Sequence, residues 1–279
     1  IKVIKMYDII MPVGDYQEIT SKSINSALNQ TLIYQKFIFI IDTKNDLEAN
    51  KIKNIINHIE RSVIIRTQRI GQGKARQCGL NSSTSEFLAF LDYDDIWHPQ
   101  KMELQIEKMK KENSVISFTS YRAISVEKKQ TIFNVHCKRK ISLFNFFICC
   151  PIGVSTVVVK RKLFLNQTEL SIARKRWDYI TWFKLWRDLN PKHSICSDYL
   201  TLIVKRRSSI SSNYWTSAAG YLSMQKAFKN IGFNNSFSYV VALFYSILQI
   251  PVKIKRILFK YFLKNSSKVK DFNIGYFLQ

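Results

Sequence analysis

The stretch "EFLAFLDYDDIWHPQKM" (86–102) sets an apolar run of strand length directly against three carboxylates, Asp92, Asp94 and Asp95. Nothing nearby in sequence neutralises them before Lys101, yet the chain carries a formal net charge of +23, with 43 Lys+Arg against 20 Asp+Glu. Acid gathered at the end of one strand in a basic protein has two readings. In the first, Asp94 or Asp95 caps the helix that Pro99 opens, because proline suits a first helical turn and acid suits a helix start. In the second, Asp92 and Asp94 alternate over a short turn and aim at one point. There they would hold Mg²⁺ or Mn²⁺ together with substrate phosphates, and the cation would relieve their mutual repulsion.

The surrounding pattern places the cluster. "YDIIMPV" (7–13), "KFIFIID" (36–42), "SVIIRT" (62–67) and "EFLAFL" (86–91) read as strands. Helical patterns separate them at 18–30, at 45–60, where Leu47, Ile52, Ile55, Ile56 and Ile59 recur, and at 73–83 after a Gly71/Gly73 loop. The helix from Pro99 has Met102, Ile106 and Met109 as its inner face, and "SVISFTSY" (114–121) follows as a strand. Repeated βα units with apolar strands predict an α/β fold, a mostly parallel sheet covered on both faces by helices. Ligands of such sheets sit outside the carboxyl ends of the strands, which is where Asp92 and Asp94 fall.

Later residues are less regular. Strands are expected at 131–136, 154–160 and 198–206, with a Trp-rich helix over 174–189. The organisation read from this is one domain over 1–212, with a first half 1–125 and a second half 126–212, followed by a basic helical extension over 213–279.

With 46% hydrophobic and 13% aromatic residues the chain can bury a core, which excludes wholesale disorder. Its charge calls for an anionic partner: nucleic acid, an anionic membrane, or phosphorylated small molecules. A nucleic-acid-binding protein remains the contrary reading, but the basic residues are dispersed and no recognisable module gathers them. Five cysteines without paired spacing suit a reduced, cytoplasmic setting. The first 30 residues show no signal peptide, and no run reaches the roughly 20 apolar residues that span a bilayer.

"LDYDDIWHPQKM" resembles the "LDxDDxWxPxKL" signature of inverting family 2 glycosyltransferases of the GT-A fold. "IIMPVGDYQEITSKSINSALNQT" (9–31) is similar to the family's opening, and "GQGKARQCGLNSSTSEFLAFLD" (71–92) to the segment leading into its DxD motif. The resemblance runs through residues 7–125, with patches to about 212. It implies a nucleotide-sugar donor, with a UDP-sugar expected. Asp92 and Asp94 become the DxD pair, with Asp94 the direct ligand of Mn²⁺ or Mg²⁺ and Asp92 toward the ribose or the ion's water shell. Asp95 becomes a cap or a support for the pair. Pro12 and Val13 would form a backbone cradle for the nucleotide, Asp42 would sit beside its base, and Tyr93 joins the same set. Arg76 would approach the phosphates or hold the aspartates; its alternative is a surface salt bridge. Gly14-Asp15 and "IDTKND" (41–46) depart from the family's Tyr-Asn and "DDGSxD", which keeps Asp42 and Asp46 but leaves the identity of the base open.

"RKRWDYITWFKLW" (174–186) resembles the family's helix that begins with the catalytic base, here Asp178, whose alternative is a helix N-cap or a partner of Arg174 or Arg176. Such a carboxylate takes the acceptor hydroxyl's proton as the new bond forms. Arg206 and Arg207, in "VKRRSSIS" (204–211), match a loop that closes over the diphosphate, while His98 and His136 read as structural. The resemblance implies transfer to a glycan or lipid-linked acceptor in cell-surface polysaccharide synthesis; its alternative is a GT-A-like protein that binds without catalysing. In "VALFYSILQIPVKIKRILFKYFLKNSSKVK" (241–270), Val252, Ile254, Ile257, Leu258, Tyr261 and Phe262 alternate with Lys253, Lys255, Arg256, Lys260 and Lys264. That pattern suits a helix lying on the anionic inner face of a bacterial cytoplasmic membrane, or one docked on the core by the same stripe.

Overall fold

The computed structural model of the chain describes residues 7–125, 130–137, 140–148, 152–165 and 177–205. In its first half the chain runs β1 (Tyr7–Val13), α1 (Glu18–Leu28), β2 (Lys36–Asp42), α2 (Asp46–Ile56), β3 (Ser62–Thr67), α3 (Gln72–Ser82), β4 (Phe87–Phe90), β5 (Ile96–Trp97) and α4 (Lys101–Lys111). It continues with β6 (Ile116–Ser125), β7 (Gln130–Val135), α5 (Leu143–Ile148), β8 (Val158–Lys160), α6 (Lys162–Leu165), α7 (Trp177–Leu189) and β9 (His193–Lys205).

The nine strands of the described residues form one sheet of order β3-β2-β1-β4-β8-β6-β9-β5, with β7 added beside β6. The block β3-β2-β1-β4 is parallel throughout, as the βα repeat requires, and β6 and β9 are parallel to each other. Strand β8 joins the two blocks, antiparallel to β4 on one side and to β6 on the other. The sheet is therefore mixed, with its parallel part centred on the strands that carry the candidate site. Residues 154–160, expected as one strand, divide into a 3-10 turn Val154–Thr156 and the short β8. Strand β9 starts at His193, ahead of the expected 198.

Alternation along the buried strands explains the helices on both faces. Ile10, Ile38 and Phe90 point to one side, against Ala75 and Leu80 of α3 and Ile180 and Trp182 of α7. Ile9, Met11, Phe37 and Phe39 point to the other, against Ile24 of α1, Ile52 and Ile56 of α2, and Met102, Ile106 and Met109 of α4. Each such side chain contributes roughly 1.5–3 kcal/mol of burial. Helix α3 approaches the sheet so closely that a Cβ on Gly79 would lie 2.6 Å from Ile10 Cγ2, so this contact requires glycine.

Two polar clamps complete the frame. The fully buried carboxylate of Asp8 in β1 accepts from Ser83 Oγ (2.5 Å), Thr84 N (3.0 Å), Ser85 N (3.1 Å), Ser85 Oγ (2.7 Å) and Lys36 N (3.1 Å). It ties the end of α3 and the start of β2 to β1. At the end of α1, the Gln30 amide donates to His98 O (2.8 Å) and accepts from Met102 N (3.0 Å), which fixes the entry to α4. His98 Nδ1 accepts from Gln100 N (3.2 Å) in the same turn.

Candidate active site

The carboxyl ends of β1, β2 and β4 bring Val13, Asp42 and Asp92 to one rim of the parallel block. Pro12 and Val13 are buried, and the Val13 side chain belongs to the α1/α2 core, so only their backbone can face a ligand. Gly14 follows, where an added Cβ would stand at ordinary contact distance, 3.7 Å, from Asp42 O.

Asp42 is half-buried and already has protein donors. Its Oδ1 accepts from Thr67 Oγ1 (2.8 Å) and Ile70 N (2.7 Å), and its Oδ2 from Gly71 N (2.9 Å). It thereby holds the loop that enters α3 through Gly71, whose φ of 95° favours glycine. A carboxylate has about four acceptor sites, so Oδ2 keeps capacity for a ligand. The "IDTKND" turn lacks the glycine of the family pattern and is stitched instead by Arg66. That guanidinium donates to Thr43 O, Thr67 O (2.9 Å) and Asp46 (3.0 Å). Sequence reasoning missed Arg66, because a basic residue in an edge strand carries no local signal.

The three aspartates after β4 divide by partner. Asp92, with its side chain 28% exposed, pairs with Arg76 of α3, which is 1% exposed and also donates to Gln72 O (3.2 Å). Arg76 thus pairs with Asp92 from a buried position, which is not that of a surface salt bridge. Asp94 is half-buried, beside Tyr93, which packs partly buried against the α1/α4 core.

Asp95 turns inward. One oxygen accepts from Ser155 Oγ (2.5 Å) in the 3-10 turn, and the other from Val204 N (3.1 Å) in β9. Burial, then the charges of Asp94 and Asp92, push its pKa well above the usual carboxylate range, while those two hydrogen bonds pull the other way. The expectation that Asp94 or Asp95 caps the following helix is overturned. The N-cap of α4 is Gln100, and Pro99 lies just ahead of it rather than inside the first turn. The two-residue β5, which packs Ile96 and Trp97 into the core, separates the aspartates from that helix. Ser155 also accepts from Asp92 N (3.0 Å), and Ser23 Oγ donates to Asp92 O (3.0 Å) and Asp95 O (2.5 Å). Neither serine stands out in the sequence, because what marks it is a distant partner.

Asp178 occupies the first turn of α7 and is half-buried. Its neighbour Trp177 is buried against the rim: the Arg76 guanidinium lies 4.6 Å from the centroid of its indole ring. The first residue of α7 is thus seated against the Arg76–Asp92 pair, two elements that the sequence separates widely, and Asp178 is the next residue in the chain. Arg174 and Arg176, its alternative partners, lie outside the described residues, as do Arg206, Arg207 and the whole extension from 213.

Among the described residues no three His, Cys, Asp or Glu side chains could cage a metal ion. The carboxylates beyond β4 that a cation could use are those of Asp92 and Asp94, a pair of the kind that would hold a hard cation otherwise bound by phosphate and water.

The model of the family described as glycosyl transferase family 2 matches residues 8–205. The chain belongs to this family. Within it, the chain is 30% identical over 210 residues to the UDP-Glc:alpha-D-GlcNAc-diphosphoundecaprenol beta-1,3-glucosyltransferase WfgD of Escherichia coli, covering 75% of this chain and 80% of that protein. It is 24% identical over 216 residues to the putative teichuronic acid biosynthesis glycosyltransferase TuaG of Bacillus subtilis, covering 76% and 84%. Among solved structures, S. aureus TarS in complex with UDP-GlcNAc superposes with a TM-score of 0.64 at 16% identity, over 85% of this chain and 70% of that one. At that identity the likeness establishes the α/β GT-A architecture of the family 2 enzyme, and the site's chemistry must be argued from its own residues.

Proposed function

We propose that this glycosyltransferase moves a hexosyl or N-acetylhexosaminyl group, with inversion, from a UDP-sugar to a hydroxyl of a lipid-linked glycan in surface-polysaccharide synthesis. The observation that supports the reading is the packing of Trp177, the residue before Asp178 in α7, against the Arg76 guanidinium that pairs with Asp92. The names of WfgD, TuaG and TarS support the donor and acceptor classes.

In this reading the donor's nucleotide lies across the ends of β1 and β2, beside Asp42 and the Pro12–Val13 backbone, and its diphosphate reaches Asp94. Asp94 and Asp92 would hold Mn²⁺ or Mg²⁺, which neutralises charge gathering on the departing diphosphate. Arg76 orients Asp92 through their ion pair. Asp178, in the first turn of α7, accepts the proton of the acceptor hydroxyl. As that oxygen bonds to the anomeric carbon, the bond from carbon to diphosphate oxygen breaks, and UDP leaves with the electron pair. A single displacement inverts the anomeric centre, and no covalent enzyme intermediate forms.

The test is release of UDP from UDP-glucose and UDP-GlcNAc, with GDP- and dTDP-sugars as controls, onto a GlcNAc-diphosphoryl-polyprenol acceptor with and without Mn²⁺. Transfer should require the ion and fall at least about 100-fold in Asp94→Ala. It should fall comparably or further in Asp178→Asn while donor binding persists. Activity that survives both chelation and Asp94→Ala refutes the metal assignment, and unchanged transfer by Asp178→Asn refutes the base.

A further inference from the structure

The Arg76 guanidinium is almost completely enclosed, and its two principal partners come from different segments of the chain. Asp92 engages it through an N–H, while the indole of Trp177 stands 4.6 Å from its central carbon. Trp177 is 3% exposed and is itself set edge-on to Phe90 of β4 and tilted against Trp182, with ring centroids 6.5 Å apart in both cases. Arg76 Nε has no hydrogen-bond partner among the described residues. The indole is thus a large part of what encloses this buried cation. A carboxylate at position 177 would compete with Asp92 for the same N–H groups. An indole engages only the guanidinium face and leaves the N–H groups to Asp92.

Three separate segments are joined in this way: Asp92 beyond β4, Arg76 in α3, and Trp177 as the first residue of α7. The residue after Trp177 is Asp178. We propose that Trp177 is a positioning residue, which registers the first turn of α7 against the Arg76–Asp92 pair and so couples donor binding at Asp92 to the placement of Asp178. This rests on the donor and base roles proposed above. When the donor diphosphate settles at the aspartates, the partners of Asp92 change, Arg76 adjusts, and the stacked indole carries that adjustment to the base. Displacing a reacting group by about 1 Å costs on the order of 100-fold in rate, so a small shift of α7 suffices.

The experiment compares wild type, Trp177→Phe, Trp177→Leu, Arg76→Lys and the Arg76→Lys/Trp177→Leu double variant. For each, UDP-glucose and UDP-GlcNAc binding is measured by calorimetry and transfer by kcat and donor KM, normalised to the binding-competent fraction. Trp177→Leu should lower kcat about 10- to 100-fold with the donor dissociation constant within about threefold of wild type. Trp177→Phe, which keeps a ring face, should recover most of that loss. The two changes should be non-additive in kcat, since lysine has no planar face for the indole to stack on. Donor binding should also alter wild-type tryptophan emission, and most of that change should vanish in Trp177→Phe.

An unchanged kcat in Trp177→Leu, a defect confined to KM, or additive costs in the double variant overturns the coupling. If the leucine variant does not fold, the Trp177→Phe emission change and kcat decide: wild-type values in both overturn it. A wild type that binds no nucleotide-sugar removes the donor assignment and this proposal with it. A wild type that binds and transfers, with Trp177→Leu equally active, removes the coupling alone.

Discussion

Replacing Lys101 with methionine should stabilise the protein, most at or below neutral pH. Lys101 opens α4 with its side chain fully buried, and its Nζ has no hydrogen-bond partner among the described residues. Burial pushes its pKa down from 10.5 to about 7. The unfolded chain keeps the ammonium up to its ordinary value, so between those two limits the unfolded state binds more protons and stability rises with pH. Below about pH 7 both states are charged and the full cost of burying the ammonium is present. At about 1.4 kcal/mol per pH unit, that cost approaches about 5 kcal/mol. The face of Trp97, whose ring centroid is 4.3 Å from Nζ, opposes it by about 2 kcal/mol. Methionine fills nearly the same volume without the charge, leaving a net gain of about 3 kcal/mol at pH 6–7 that fades toward pH 10. Urea unfolding at pH 6, 7, 8 and 9 measures it, and the melting temperature at pH 7 should rise by roughly 6–12 °C. A destabilised Lys101→Met protein at pH 7, or a difference that does not shrink as pH rises, would refute the claim that a charge is buried there at a cost.

Three further outcomes follow from the fold. Asp8→Ala strands the donors of Ser83, Thr84, Ser85 and Lys36 around an empty buried site, and should cost about 3–5 kcal/mol in urea unfolding, with Asp8→Asn in between. Gly79→Ala drives a methyl group against Ile10 and should cost about 1–3 kcal/mol; a neutral result would mean that α3 can lift from the sheet freely. If the segment 241–270 meets a membrane, the full chain should sediment with phosphatidylglycerol vesicles and not with phosphatidylcholine vesicles, and the binding should weaken with salt. Equal recovery with both vesicle types would remove the electrostatic part of that expectation.

Much of the parallel block is legible in the sequence, because its signals are local and periodic. Strands such as "YDIIMPV" and "KFIFIID" read as doubly covered, and the inner face of α4 is the expected Met102, Ile106 and Met109. The second half resists because its elements are short and defined by partners. The two-residue β5 exists only through its pairing with Leu202 and Thr201 in β9, and β8 only by bridging β4 and β6. No periodicity can appear over two or three residues.

The candidate site divides the same way. By itself the sequence determined the family signature, the order of the chemistry-bearing residues, and the placement of Asp42 and Asp92 at strand ends, since strand length and apolar pattern are properties of contiguous residues. Only the tertiary structure decided what each carboxylate does. Asp95, adjacent to Asp94, is drawn inward by Ser155 and Val204, while Asp92 is held by Arg76 and, through it, by Trp177. A carboxylate takes whichever donors the packed chain brings within hydrogen-bond reach. Here those donors come from elements far apart in sequence, so their identity exists only once the sheet has closed around them.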